Sequence, residues 1–144
     1  MRIALGSDHA GWALKEHLRG TLAAAGHEVV DCGTDGEARC DYPAFAVAVA
    51  RVVAEGRAER GVLVCGTGIG MAMAANKVPG IRAANCNDLF TARLARLHND
   101  ANVLTVGSRV VAPAQAEAIV GEFLLGPFEG GRHSARLEQL AALD

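Results

Sequence analysis

Short apolar runs alternate along the chain with stretches whose apolar residues recur at helical spacing. Ile3-Ala4-Leu5 reads as a first strand. A helix is predicted over 10–25, with Trp12, Leu14, Leu18, Leu22 and Ala25 on one stripe and Gly26 as its stop. Glu28 to Cys32 is a second strand, 33–41 a polar loop, and Pro43 suits the first turn of a helix running to about Glu55. Gly61 to Cys65 is wholly apolar apart from its glycine, the mark of a strand buried on both faces. A glycine-rich turn and a short helix follow. Ile81 to Cys86 and Asn102 to Val106 are the fourth and fifth strands, with a helix over 88–97 between them. Helices over 113–125 and 134–143 close the chain.

Strands that alternate with helices in this way pair in parallel and are covered on both faces. The fold class expected is therefore α/β: a doubly wound, Rossmann-like three-layer sandwich around a five-stranded parallel sheet. At 144 residues the chain suffices for one domain over 1–144. The stretch 126–131, Gly-Pro-Phe-Glu-Gly-Gly, connects to the last helix and does not separate domains.

Composition narrows the function classes. Aromatics are scarce at 4%, so Ala, Val, Leu and Ile must fill the core. A net charge of −2, with no Lys/Arg run and no interleaved aromatics, argues against nucleic acid as partner. No apolar run approaches the length of a membrane span, and Met1 to Gly6 reads as a strand rather than a signal peptide. A cytoplasmic protein with reduced thiols is expected. Cys32, Cys40, Cys65 and Cys86 contain no C-x-x-C pair, and no zinc-like spacing joins them to the histidines. No metal and no cofactor are expected.

Ligands of an open parallel sheet bind beyond the carboxyl ends of its strands. The first strand leads into Asp8 and His9, the third into Cys65 and its turn, and the fifth into Gly107-Ser108-Arg109. The turn Gly66-Thr67-Gly68-Ile69-Gly70 is the sharpest signal: its glycines let successive N–H groups face one concavity beside a helix start. Such a nest binds phosphate or stabilises an oxyanion, or it is simply a tight structural turn. No Gly-Lys-Ser/Thr follows, so it is not a Walker loop. Asp88 stands 20 residues after Gly68, as a ribose-binding acid would, but the turn follows the third strand rather than the first. The nest would favour the thiolate of Cys65, making it a nucleophile or base; the plainer alternative is a buried cysteine. Asp8 is a ligand or a helix cap, His9 a ligand or a solvent-facing residue, and His98-Asn99 a site or a helix end. Arg132 and Arg136 share a face if the last helix reaches back, and suit a phosphate as well as they suit solvent.

Taken in order, these motifs resemble the type B ribose-5-phosphate isomerases, a family that also holds galactose-6-phosphate isomerase subunits. The resemblance spans essentially the whole chain. It rests on Gly6-Ser7-Asp8-His9-Ala10-Gly11, Asp41-Tyr42-Pro43, Cys65 to Gly70, Ala75 to Ala83, His98 to Val103, Gly107-Ser108-Arg109 and Glu129 to His133. It implies an aldose–ketose isomerase in which Cys65 moves a proton between two carbons. Some members use a Glu on the next helix instead, but Met71-Ala72-Met73 offers no acid here. It further implies that Gly66, Thr67, Gly68, Ile69 and Gly70 hold the enediolate oxygen, that His98 opens the sugar ring with Thr67, and that Asp8, His9 and Asn99 bind hydroxyls. Arg109, Arg132 and Arg136 would bind phosphate, and Tyr42 would line the site.

Sugar length stays open: allose or galactose 6-phosphate and a tetrose phosphate are alternatives to ribose 5-phosphate. A nucleotide-binding regulatory module is the reading from a different class. Cys65 leaves its strand at the carboxyl end of the sheet, whereas His98 precedes the fifth strand and so belongs to the amino end. A homodimer, or a dimer of dimers, with composite sites is therefore expected.

Overall fold

A computed structural model describes residues 1–144. Five strands, β1 (Arg2–Ser7), β2 (Glu28–Asp31), β3 (Arg60–Cys65), β4 (Ala83–Asn85) and β5 (Val103–Gly107), pair in parallel in the order β2-β1-β3-β5-β4. Six helices are interleaved: α1 (Trp12–Ala24), α2 (Tyr42–Ala54), α3 (Ile69–Ala75), α4 (Leu89–Leu97), α5 (Pro113–Leu125) and α6 (Ser134–Ala141).

Strand alternation sorts the core into two layers. Leu5, Val62, Val64, Leu104 and Val106 point to one face and meet Leu14 and Leu18 of α1, Ala92 of α4, and Ile119 and Phe123 of α5. Ala4, Leu63, Cys65 and Val103 point to the other and meet Val49 and Val53 of α2 and Met71 and Ala75 of α3. The three-layer, doubly wound arrangement is thus the one the alternation predicts. No helix is long and apolar enough to cross a membrane.

Three boundaries differ from expectation. The first helix begins at Trp12, not near Ala10, because 8–11 form a turn closed by the Gly11 N–H on the Asp8 carboxylate at 3.1 Å. That turn lies so close to β3 that a Cβ on Gly11 would stand 2.4 Å from the Val64 carbonyl oxygen. Strand β4 is three residues, not six. It lies at the sheet edge, and Arg82 gives its N–H to the Asn102 side chain at 2.8 Å rather than to the ladder. The last helix ends at Ala141 and is preceded by a 3-10 turn at Gly131–His133, so Arg132 stands on that turn and Arg136 on the helix.

Candidate active site

The strand order reverses direction between β1 and β3, and the crevice outside their carboxyl ends is where a ligand is expected. Asp8 and His9 leave β1 there. Asp8 is buried, with one carboxylate oxygen closing the turn onto Gly11. His9 is half-buried, not solvent-facing, and its Nδ1 lies 3.1 Å from the Cys40 carbonyl oxygen and 3.3 Å from the Cys40 nitrogen.

Cys65 leaves β3 in the same crevice, its backbone paired with Gly107. The pairing continues past both strands: Ser108 N–H donates to Cys65 O at 2.8 Å and Arg109 N–H to Gly66 O at 3.0 Å. Arg109 then lies over the Gly66 Cα, its Nη1 3.3 Å from where a Cβ would stand. Gly68 adopts φ +83°, a value that favours glycine, and turns its N–H onto the Cys65 sulfur at 3.1 Å. Ile69 N–H reaches Thr67 Oγ1 at 3.3 Å. Tyr42 packs its ring against Gly70, where a Cβ would approach it to 2.7 Å. Burial pushes the Cys32 and Cys86 thiols up and keeps them protonated. Cys65 differs from them in having a backbone N–H aimed at its sulfur.

The remaining predicted residues gather at the opposite end of the sheet. His98 and Asn99 follow α4 and precede β5. Their loop is held by Arg82, which donates to Asn99 O at 3.2 Å, to Asp100 O at 2.9 Å and to the Asp100 carboxylate at 2.9 Å. Buried Arg96 grips the same carboxylate at 2.7 Å, and Asp100 takes φ +42°. Glu129 N–H donates to Leu97 O, which brings the 3-10 turn alongside. His133 stacks on His98 with ring centroids 4.3 Å apart and planes 15° apart. Exposed Arg132 and Arg136 flank His133 in sequence.

The structure therefore divides the predicted set in two. Asp8, His9, Tyr42, Cys65, Thr67, the nest and Arg109 share the carboxyl end. His98, Asn99, Arg132 and Arg136 share the amino end. A cleft of about 490 Å³ meets the carboxyl-end set only at Arg109, and one of about 390 Å³ meets the amino-end set only at Asn99; Cys65, the nest and His98 line neither.

Folding also joins groups that spacing along the chain does not. Glu129 Oε2 lies 3.3 Å from His133 Nε2 and 3.7 Å from His98 Nε2, a set of two imidazoles and a carboxylate. A metal must lie in the plane of each imidazole that binds it. Two stacked, nearly parallel rings share no such point nearby, so this arrangement is a poor fit to a metal. Asp88 accepts from the Thr91 N–H at 2.7 Å and the Thr91 hydroxyl at 2.8 Å, bonds that hold its carboxyl below the usual range. It caps α4, and the dinucleotide reading loses its ribose acid. Asn87 and Thr105, absent from the sequence motif, bond the nest itself: Asn87 Nδ2 donates to Thr67 O at 3.3 Å and Thr105 Oγ1 to Gly68 O at 2.8 Å. Asn87 stands just beyond β4 and Thr105 in the middle of β5, places too common to single them out in the sequence.

Residues 3–140 match the family model described as Ribose/Galactose Isomerase. The chain is 47% identical over 143 residues to ribose-5-phosphate isomerase B of Escherichia coli, covering 99% of this chain and 96% of that one. It is 42% identical to the D-erythrulose-4-phosphate isomerase of Pectobacterium atrosepticum, covering 97% and 93%. A solved structure of ribose-5-phosphate isomerase B from Mycoplasma genitalium with bound ribulose-5-phosphate superposes with a TM-score of 0.93 at 42% identity, covering 99% and 95%.

Proposed function

We propose, since the chain belongs to the ribose/galactose isomerase family and is a sugar-phosphate isomerase, that it interconverts ribose 5-phosphate and ribulose 5-phosphate. The observation that carries the mechanism is the Gly68 N–H on the Cys65 sulfur, at the mouth of an amide nest. The furanose must open before its C2 proton becomes acidic. His98 opens it with Thr67, moving a proton between the anomeric hydroxyl and the ring oxygen. The Cys65 thiolate then removes the proton from C2 and returns it to C1, while the hydroxyl proton of O2 is exchanged for one on O1. The enediolate between these steps carries negative charge on oxygen, and it is received by those N–H groups of the 66–70 nest that are not turned onto the Cys65 sulfur or Thr67 Oγ1. Asp8, His9 and Asn99 bind sugar hydroxyls, Tyr42 lines the site, and Arg109, Arg132 and Arg136 hold the phosphate.

A homodimer completes the site, because the carboxyl-end and amino-end groups of one chain are on opposite ends of its sheet. Exposed Ile69 and Met73 on α3 leave apolar surface beside the nest for a second chain to cover. The site needs no metal in this reading, since the nest does the polarising.

A tetrose 4-phosphate is the second reading, favoured by the 42% identity to an erythrulose-4-phosphate isomerase. Turnover of both sugars by the purified chain, measured with chelator present, tests the proposal. A ratio of kcat/KM favouring ribose 5-phosphate supports it. Preference for the tetrose moves the substrate to the second reading. Nucleotide binding with no turnover of either sugar sinks both, and loss of activity on chelation sinks the metal-free mechanism.

A further inference from the structure

An amide nest stabilises charge only in the direction its N–H groups point, and two side chains outside the glycine motif control that direction. In a planar trans peptide the carbonyl oxygen and the amide hydrogen lie on opposite sides. The Thr67 carbonyl is drawn to Asn87 Nδ2 at 3.3 Å, and the N–H of the same peptide, that of Gly68, consequently faces the Cys65 sulfur at 3.1 Å. The Gly68 carbonyl is drawn to Thr105 Oγ1 at 2.8 Å, which turns the Ile69 N–H the other way. Asn87 is itself fixed at its other atom, where Oδ1 accepts the Gly107 N–H at 2.8 Å. One side-chain amide thus ties the turn after β3 to the end of β5. An amide suits this place, since one end must donate and the other accept. There is no slack: a Cβ on Gly68 would meet Asn85 Oδ1 at 2.3 Å, and one on Gly107 would meet the Thr67 Cα at 2.7 Å.

We propose that Asn87 is a positioning residue for the catalytic thiol: through the 67–68 peptide it holds the Gly68 N–H on the Cys65 sulfur and so sets the reactivity of that sulfur as a base. Asn87 need not touch the substrate for this. The inference rests on Cys65 being the base, as proposed above, and its test has an arm that needs no substrate. Asn87→Asp keeps the acceptor facing Gly107 and replaces the donor by an oxygen that repels the Thr67 carbonyl. Asn87→Leu removes both.

The measurements are kcat and KM for ribose 5-phosphate, and the rate at which iodoacetamide alkylates Cys65, followed by mass spectrometry of its peptide with buried Cys86 as internal reference. Both variants should alkylate Cys65 about tenfold more slowly and lose roughly tenfold or more in kcat with KM within about twofold, short of the hundredfold or greater loss on deleting an oxyanion donor itself. A Cys65 alkylation rate equal to that of the unaltered protein overturns the proposal. So does faster alkylation of Cys65 and Cys86 together, which assigns Asn87 to stability alone. If the unaltered protein fails to turn over ribose 5-phosphate, the substrate reading falls while the alkylation comparison still decides the role of Asn87.

Discussion

Removing Cys65 from one chain and His98 from another should yield a mixture more active than either alone. Strand β3 has six residues, and at about 3.3 Å per residue its ends are about 16 Å apart. Cys65 stands at one end. The loop that follows His98 lies at the other, where Asn102 O accepts the Gly61 N–H. General acid–base transfer needs heavy atoms within about 2.6–3.2 Å. On the sugar, C2 and the ring oxygen are both bonded to C1, so the base and the ring-opening imidazole must meet on atoms only two bonds apart. A thiol and an imidazole at opposite ends of one sheet cannot do this, whereas two chains related by a two-fold axis can. Cys65→Ala and His98→Ala proteins should each be nearly inactive on ribose 5-phosphate. After co-refolding in equal amounts, random pairing makes about half the dimers hybrid, each with one intact site of two, so about a quarter of the unaltered activity should return. Differently tagged chains allow hybrids to be isolated before assay. Confirmed hybrids without activity would refute the argument and place both groups in a site built by one chain.

Cys65→Ala alone should abolish turnover yet leave sugar-phosphate binding by calorimetry largely intact; near-normal turnover removes the thiol from the mechanism. Arg132→Ala or Arg136→Ala should weaken binding of the phosphorylated sugar by about 1.5–3 kcal/mol, as expected for a hydrogen bond to a charged group, and an unchanged KM in both returns these residues to solvent. A tetrose 4-phosphate cannot close a furanose, because its O4 is esterified. His98→Ala should therefore cost much more kcat on ribose 5-phosphate than on the tetrose, and equal losses would detach His98 from ring opening. Burial raises the Cys32 and Cys86 thiols above their ordinary 9.0. The unfolded chain then loses protons that the folded one keeps, so this contribution to stability is full below pH 9.0 and is lost as pH rises through the folded values. The urea midpoint of a Cys32→Ala/Cys86→Ala protein should fall less steeply between about pH 8 and 10, and parallel slopes would contradict this.

Much of the carboxyl-end site is legible in the sequence because each of its parts leaves a strand directly. Once Ile3-Ala4-Leu5, Gly61 to Cys65 and Asn102 to Val106 are read as parallel strands, Asp8, Cys65 and Arg109 must emerge on the same side. The same logic sends His98 to the other end. What is not legible depends on contacts between segments far apart in sequence. The His98–His133 stack needs the 3-10 turn to return against the end of α4, and nothing in the spacing of His133 announces that. Lys15 looks like a solvent residue between Leu14 and Leu18, yet it is fully buried, its stem along the apolar face and its ammonium on Asp31 at 2.7 Å. The brevity of β4 was hidden too, because an apolar run does not reveal which strand will stand at an edge.

Cysteine has one side-chain torsion, and the Cys65 backbone is bonded into the ladder between β3 and β5 while its sulfur accepts the Gly68 N–H. As the proposed base, a thiol carried this way does not travel around its substrate. A planar enediolate lying against it presents one face to sulfur, so the proton should leave C2 and arrive at C1 on that same face. The stereochemistry of the reaction is then set by the backbone: only one C2 epimer of the aldose can offer its hydrogen to the thiolate, and the ketose should carry deuterium from solvent at one of the two C1 hydrogens and not the other.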